Sequence, residues 1–153
     1  MTEVRFRPNV CIVIKKKGSD LFLICHRKAF PDESGWQFPQ GGIDKNADLV
    51  SEMKRELREE IGTDDVTVLK ISSQPYTYNF PPGIQNHHPG YSGQTQRWVL
   101  VELDVEDSKI NFSHEPAEFD AFQWVSASYI LSKIVDFKKQ IYLRAMHDLG
   151  LLT

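Results

Sequence analysis

Residues 41–62 read GGIDKNADLVSEMKRELREEIG, a stretch whose second half crowds Glu52, Glu56, Glu59 and Glu60 together. On a helix these four carboxylates share one broad face, because residues three, four, seven and eight apart fall together. Val50, Met53, Leu57 and Ile61 form a stripe on the adjoining face, suited to packing on a core. Like charges at such spacings destabilise a helix by roughly 0.2–0.5 kcal/mol per pair. A hard divalent cation reverses that penalty, since Mg²⁺ takes oxygen ligands from carboxylates, water and phosphate. The alternative is a solvated acidic face balanced by Lys54, Arg55 and Arg58, and charge alone leaves both readings open. The preceding turn, Trp36-Gln37-Phe38-Pro39-Gln40-Gly41-Gly42, favours the cation. It is a stiff apolar segment running into two glycines that allow backbone to approach a ligand closely, and Asn46 or Asp48 can cap the helix that follows.

The elements that must position this stretch are legible around it. With 153 residues, 41% of them hydrophobic and 25% charged, the chain suits one globular domain spanning residues 1–153. A net charge of −3 offers no overall basic field for nucleic acid, although several of the acids belong to the glutamate helix. Residues 10–14 and 21–25 read as buried strands joined by a polar hairpin turn over residues 15–20. If they are antiparallel neighbours, Arg7 and Arg27 emerge from the same end of the sheet. Strands are further expected over residues 66–71, 76–80, 94–103 and 119–125, and a last helix from about residue 132 to 149. On that helix Ile134, Ile141, Ala145 and Leu149 mark the buried side. Lys138 falls inside the stripe, and helical spacing alone makes Phe137, at its shoulder, a core residue. Cys11 and Cys25 lack metal-ligand spacing and read as buried, reduced thiols. His87-His88, adjacent on a Pro- and Gly-rich loop with no third ligand in view, reads as loop and not as a metal site. No apolar run approaches membrane-spanning length and the N-terminus has no apolar leader core, so a cytoplasmic protein without a membrane partner is expected.

Gly41 followed by Arg55-Glu56-Leu57-Arg58-Glu59-Glu60-Ile61-Gly62 resembles the Nudix box, G-x5-E-x7-R-E-U-x-E-E-x-G-U, where U is a bulky aliphatic residue. Two positions depart from it: Ala47 stands where the box has its first Glu, and Thr63 where it has its last aliphatic. Within the family the chain is similar to the bacterial RNA pyrophosphohydrolases and related dinucleoside-polyphosphate hydrolases. The likeness extends to Arg7-Pro8-Asn9-Val10, residues 36–43, residues 93–98, Glu118-Phe119-Asp120 and residues 136–142.

That resemblance implies an α/β/α sandwich around a mixed sheet, hydrolysing a phosphoanhydride linked to a nucleoside with Mg²⁺ or Mn²⁺. By position, the Gly41 carbonyl and Glu56, Glu59, Glu60 and Glu118 would hold the metal, with Glu56, Glu60 and Glu118 the catalytic acids and bases. Arg55 would orient them through ion pairs. For RNA the resemblance implies that Arg27 and Phe137 hold the first base, that Arg7 and Lys138 lie near phosphates, and that Gln40 and Tyr78 are further substrate contacts. The activity implied is removal of pyrophosphate from the 5′ triphosphate end of RNA. Dinucleoside polyphosphates or nucleoside triphosphates are the alternative substrates. A Nudix-fold nucleotide-binding module weakened in catalysis is the alternative from another class, supported by Ala47 alone. In family terms a Glu at 47 would support Arg55, a role that Asp48 is placed to share. A homo-oligomer is compatible with all of these readings.

Overall fold

The computed structural model describes residues 5–30, 32–82 and 90–152; His87-His88 lies outside them. A continuous apolar run suits a strand covered on both faces, and β1 (Phe6–Lys16) is that strand. It runs parallel to β7 (Gly93–Leu103), in register from Phe6 opposite Gly93 to Lys16 opposite Leu103. The other pairings are antiparallel. On its far side β1 pairs first with β4 (Gln40–Gly42) and then, at Lys15, with β2 (Phe22–Arg27). Cys25 and His26 of β2 pair on one edge with β3 (Trp36–Gln37) and on the other with β8 (Phe119–Val125); along β7 lie β6 (Tyr76–Asn79) and then β5 (Val66–Ile71). The result is a mixed sheet whose main path runs β3-β2-β1-β7-β5.

Alternation along β1 divides the core in two. Val10, Ile12 and Ile14 face α1 (Leu49–Ile61), where Met53, Leu57 and Ile61 are fully buried. Cys11 and Val13 face the opposite layer, α2 (Ala127–Lys133) and α3 (Asp136–Asp148), with Ile130, Ile141, Tyr142 and Met146. This is the expected α/β/α sandwich. Cys11 and Cys25 are buried in different halves of the core and both are free thiols, pushed up in pKa by burial. Among the described residues no helix is long and apolar enough to cross a membrane.

The hydrophobic pattern predicts one helix from about residue 132, and here the structure differs. Ser126 caps α2 by accepting from the Tyr129 amide. That helix ends at Lys133, and Ile134 and Val135 take extended ψ angles of 142° and 141° before α3 begins. Ile134 is buried at the break, so the 3.6-residue pattern runs through it undisturbed. The strand expected over residues 76–80 ends at Asn79.

One aromatic cluster ties this second layer to the glycine turn. Phe38 stacks on Tyr142 with ring centroids 5.2 Å apart and an interplanar angle of 2°. Trp98 meets both rings edge-on, at 5.9 and 4.9 Å. The Phe38 amide donates to the Tyr142 hydroxyl at 3.0 Å, and the Ile12 amide donates to the Pro39 carbonyl at 2.8 Å. The segment that enters the glutamate helix is thus clamped from below. Tyr142→Phe keeps the ring but strands the buried Phe38 amide, and should lower unfolding stability in urea by about 1–3 kcal/mol.

Candidate active site

The glutamate helix starts where its first turn finds a cap. Asp48 accepts from the Ser51 amide at 2.9 Å, and Gly62, at φ 80°, ends the helix. Asp48 therefore serves the helix terminus and not Arg55, which corrects the supporting role expected for it. Ala47 lies in the exposed turn before the cap. Glu52 is the residue that meets the arginine: Arg55 Nε donates to Glu52 Oε2 at 2.7 Å. The same guanidinium reaches both carboxylate oxygens of Glu59 (3.2 and 3.1 Å), Glu56 Oε1 (3.1 Å) and the Gly42 carbonyl (3.3 Å).

Close approach explains both glycines. A Cβ on Gly41 would lie 2.1 Å from the Glu56 carboxyl, and one on Gly42 would lie 2.2 Å from Arg7 Nη2. Any side chain there would push Glu56 or Arg7 out of place. Their backbone joins β1 by the register Val10 opposite Gly41 and Asn9 opposite Gly42.

Around this point Arg7, Asn9, Arg27, Gln40, Gly41, Gly42, Glu56, Glu59, Glu60 and Glu118 line one cavity of about 200 Å³. Its acids are strained electrostatically. Burial, then the neighbouring Glu118 and Glu56, push Glu60 up to about 8. Burial also dominates at Glu56, raised to about 6 against the pull of Arg55. Glu60 Oε2 is buried without a hydrogen-bond partner among the described residues. Arg55 occupies oxygens of Glu56 and Glu59, and among the described residues no three His, Cys, Asp or Glu side chains converge as a finished ligand set. The donors are nonetheless all oxygens, crowded, partly desolvated and in one case unpaired. That chemistry fits a hard divalent cation.

A second pocket adjoins the first and shares Arg27 and Gln40 with it; Phe30, Gln37, Tyr78, Gln94, Phe137 and Lys138 are also on its wall. Phe137 is half-buried, packed against the margin of the core and on the wall of this pocket at once, so the core reading from helical spacing describes only part of its setting. Tyr78 packs against it at 6.0 Å between ring centroids. Lys138 is 8% exposed, its Nζ donating to Gln37 Oε1 at 3.3 Å and lying 5.8 Å from the Phe137 ring centre. Burial and then Arg27 press it down to about 8. Its place inside the apolar stripe is thereby explained, because the stripe passes under a cavity. Arg27 lies 5.3 Å above the Phe30 ring, and Arg7 Nη1 donates to Gln94 Oε1 at 2.8 Å. Both arginines come from the same end of the sheet, as the antiparallel hairpin requires.

Between the two cavities runs a polar relay whose direction is fixed by one group. An indole N–H can only donate, and Trp98 Nε1 donates to Gln96 Oε1 at 3.2 Å. Gln96 must then present its amino group, which donates to Asn9 Oδ1 at 2.8 Å and Gln40 Oε1 at 2.6 Å. The NH₂ groups of Asn9 and Gln40 are left as donors, and Asn9 Nδ2 is buried without a partner among the described residues. Asn9, Phe30, Gln37, Gln94 and Gln96 had no place among the site residues read from sequence. The available signal was a buried amide at a core position of an apolar strand, as in Gln94 and Gln96 of β7.

Comparison with known proteins bears on this arrangement. A family model described as NUDIX domain matches residues 5–145. An RNA pyrophosphohydrolase of Teredinibacter turnerae is 38% identical over 148 residues, covering 94% of this chain and 85% of its own length. The protein of that name from Pasteurella multocida is 40% identical over 149 residues, covering 94% and 73%, and that from Campylobacter jejuni 37% over 146 residues, covering 94% and 92%. Among solved structures, the E. coli dihydroneopterin triphosphate pyrophosphohydrolase superposes with a TM-score of 0.72 at 19% identity, over 93% of this chain and 97% of that one. A C. elegans Ap4A hydrolase superposes at 0.62 and 18% identity, over 93% and 98%. The structural likenesses concern the fold.

The raised Glu60 pKa has a consequence for stability. The folded state binds this proton more tightly than an unfolded chain, whose glutamates titrate near 4.3. Its contribution is therefore present at mildly acidic pH and is lost as pH rises towards about 8. In chelator, the melting temperature should fall between pH 6 and 8. Glu60→Gln should flatten that slope and raise stability at pH 8 by about 1–3 kcal/mol, the scale of an unsatisfied buried group.

Proposed function

The chain belongs to the Nudix family and is a Nudix hydrolase, and from that premise we propose that it removes pyrophosphate from the 5′ triphosphate end of RNA, leaving a 5′ monophosphate. The observation that carries the reading is the sharing of Arg27 and Gln40 by an acidic cavity and an aromatic, cationic slot. A terminal nucleotide has two ends of matching chemistry. Its phosphate chain needs cations and oxygen-ligated metal, and its base needs a stacking surface. The relatives named RNA pyrophosphohydrolase, 37–40% identical over most of the chain, support the choice of RNA.

In this reading the Gly41 carbonyl, Glu56, Glu59, Glu60 and Glu118 hold Mg²⁺ or Mn²⁺. When bound, such a cation supplies neutralisation of the phosphate charge and a more acidic water. Arg7 and Lys138 balance the remaining phosphate charge, and a lysine depressed by burial regains its proton's stability beside an anion. A water attacking the α-phosphorus in line forms the new P–O bond as the opposite phosphoanhydride bond breaks and pyrophosphate leaves; its proton passes to a carboxylate of the cavity wall, where Glu60 Oε2 has no competing partner among the described residues. Arg55 touches no substrate; it fixes the orientations of Glu56 and Glu59. Arg27 and Phe137 hold the first base, with Tyr78 packed against the Phe137 ring. Gln40 offers an N–H to the phosphate chain.

Triphosphorylated RNA, dinucleoside polyphosphates and nucleoside triphosphates, assayed side by side with Mg²⁺, should show the highest kcat/KM for RNA. A higher value for either of the others would assign the site to that substrate, and no turnover with any would mean a binding module. Glu56→Gln and Glu60→Gln should each lower kcat by orders of magnitude on every substrate. Phe137→Ala should weaken action on RNA by about 1–3 kcal/mol, the usual worth of one stacked base. Because Phe137 is half-buried, its unfolding midpoint should move little. A large loss of stability with an equal loss on all substrates would speak for a packing role.

A further inference from the structure

The anchor of Arg55 is not where the family box places an acid. We infer that Glu52 is a positioning residue of this enzyme: it holds the Arg55 guanidinium in place and so keeps Glu56 and Glu59 available for the divalent cation. The inference rests on the proposed metal site, and it begins from the donor inventory of one side chain. Arg55 has five N–H bonds in a rigid planar fork. Its Nη groups serve Glu56, Glu59 and the Gly42 carbonyl, all at the acidic cavity. Its Nε is taken by Glu52 Oε2 at 2.7 Å, the shortest of the Arg55 bonds.

Glu52 also carries a second contact. Its Oε1 accepts from the Asp44 amide at 3.1 Å, so the same carboxylate ties α1 to the chain leaving Gly41 and Gly42. Its side chain is 15% exposed against 37% for Arg55, which makes Glu52 the more sheltered member of the pair. Ala47 has no group for this task and Asp48 is committed to the Ser51 amide. The helix therefore supplies the anchor from three residues before the arginine, with i,i+3 spacing.

Two effects of losing this carboxylate act in one direction. Its negative charge beside the cluster disappears, which lowers the attraction for a cation. Arg55 is also released to turn wholly onto Glu56 and Glu59, where it competes with the cation for the same oxygens. Charge-assisted bonds of this kind are strong enough for that competition to matter, and outer partners of metal ligands typically account for a 10–100-fold share of metal affinity.

Glu52→Gln separates the two contacts, because the amide oxygen still accepts from the Asp44 N–H while the NH₂ end cannot accept from Arg55. Mn²⁺ titrated against the wild-type protein, Glu52→Gln and Glu52→Ala can be followed by the spin-resonance signal of free Mn²⁺, with no substrate present. Glu52→Gln should bind Mn²⁺ roughly tenfold more weakly with an unchanged melting temperature in chelator, and Glu52→Ala at least as weakly. In turnover assays the Mg²⁺ concentration for half-maximal rate should rise by a similar factor, while kcat at saturating Mg²⁺ stays within a few-fold of wild type. Wild-type Mn²⁺ affinity in Glu52→Gln would overturn the inference even if Glu52→Ala were impaired, since only the tie to Asp44 would then matter. If the wild-type protein itself bound no Mn²⁺, the metal site and this inference would both fall. A protein whose Mn²⁺ affinity depends on Glu52 but that does not turn over RNA would leave the inference standing and remove the proposed substrate.

Discussion

Everything at the active end of this molecule answers to one constraint: several carboxylates must be held close together against an apolar core, with Arg55 reaching Glu56 and Glu59 but not Glu60. Glu56 and Glu60 sit on the same helix as Met53, Leu57 and Ile61, which are buried to the last atom. The helix cannot rotate to relieve the acids without exposing that stripe. At roughly 1.5–3 kcal/mol for each buried apolar side chain, the stripe outweighs like-charge repulsion of a few tenths of a kcal/mol per pair. The carboxylates stay, and their discomfort shows as raised pKa values at Glu56 and Glu60.

The surroundings can be read as responses to that constraint. Arg55 engages Glu52, Glu56 and Glu59 without entering the wall of the acidic cavity. Gly41 and Gly42 are bare because Glu56 and Arg7 occupy the space a Cβ would need. The turn carrying them is fixed from the opposite layer by the Phe38–Tyr142 stack and its hydrogen bond. A single edge of the sheet thus brings together an acid cluster, its cationic strap and the backbone carbonyl between them. The long parallel pairing of β1 with β7 delivers Arg7 and Gln94 to the same place.

On the other side of Arg27 the balance is reversed. Lys138 is buried with only Gln37 as a hydrogen-bond partner among the described residues and is pressed down by its lack of solvent. A cation so placed gains most from a polyanion, as the acids gain most from a metal. The two halves of the site are each incomplete in opposite charge, and in the proposed reading the triphosphate end of an RNA with its metal would supply both. This complementarity is the physical reason that a chain of net charge −3 can be suited to the end of an RNA without a general basic surface.

Much of this was legible in the sequence, and the limits of legibility were physical. Local patterns settled the glutamate helix, its apolar stripe, its glycine end and most strand positions, because periodicity and caps act within a few residues. The acids of residues 52–60 and the turn before them could be read together for the same reason. Resemblance then extended the reading to Glu118, Arg27, Phe137 and Lys138, which no local rule connects. Other features needed the tertiary structure. The break at Ile134 and Val135 was invisible because Ile134 remains buried through it. That Phe137 packs on the margin of the core and lines the pocket at the same time follows only from what lies above α3. The orientation of Asn9 and Gln40 depends on an indole two positions beyond Gln96, and the use of Glu52 in place of a residue at 47 depends on which way the Arg55 fork points. Sequence spacing determines which groups share a face of one element; only packing between elements decides which of those groups meet, because hydrogen bonds and charge pairs act across distances the chain order does not record.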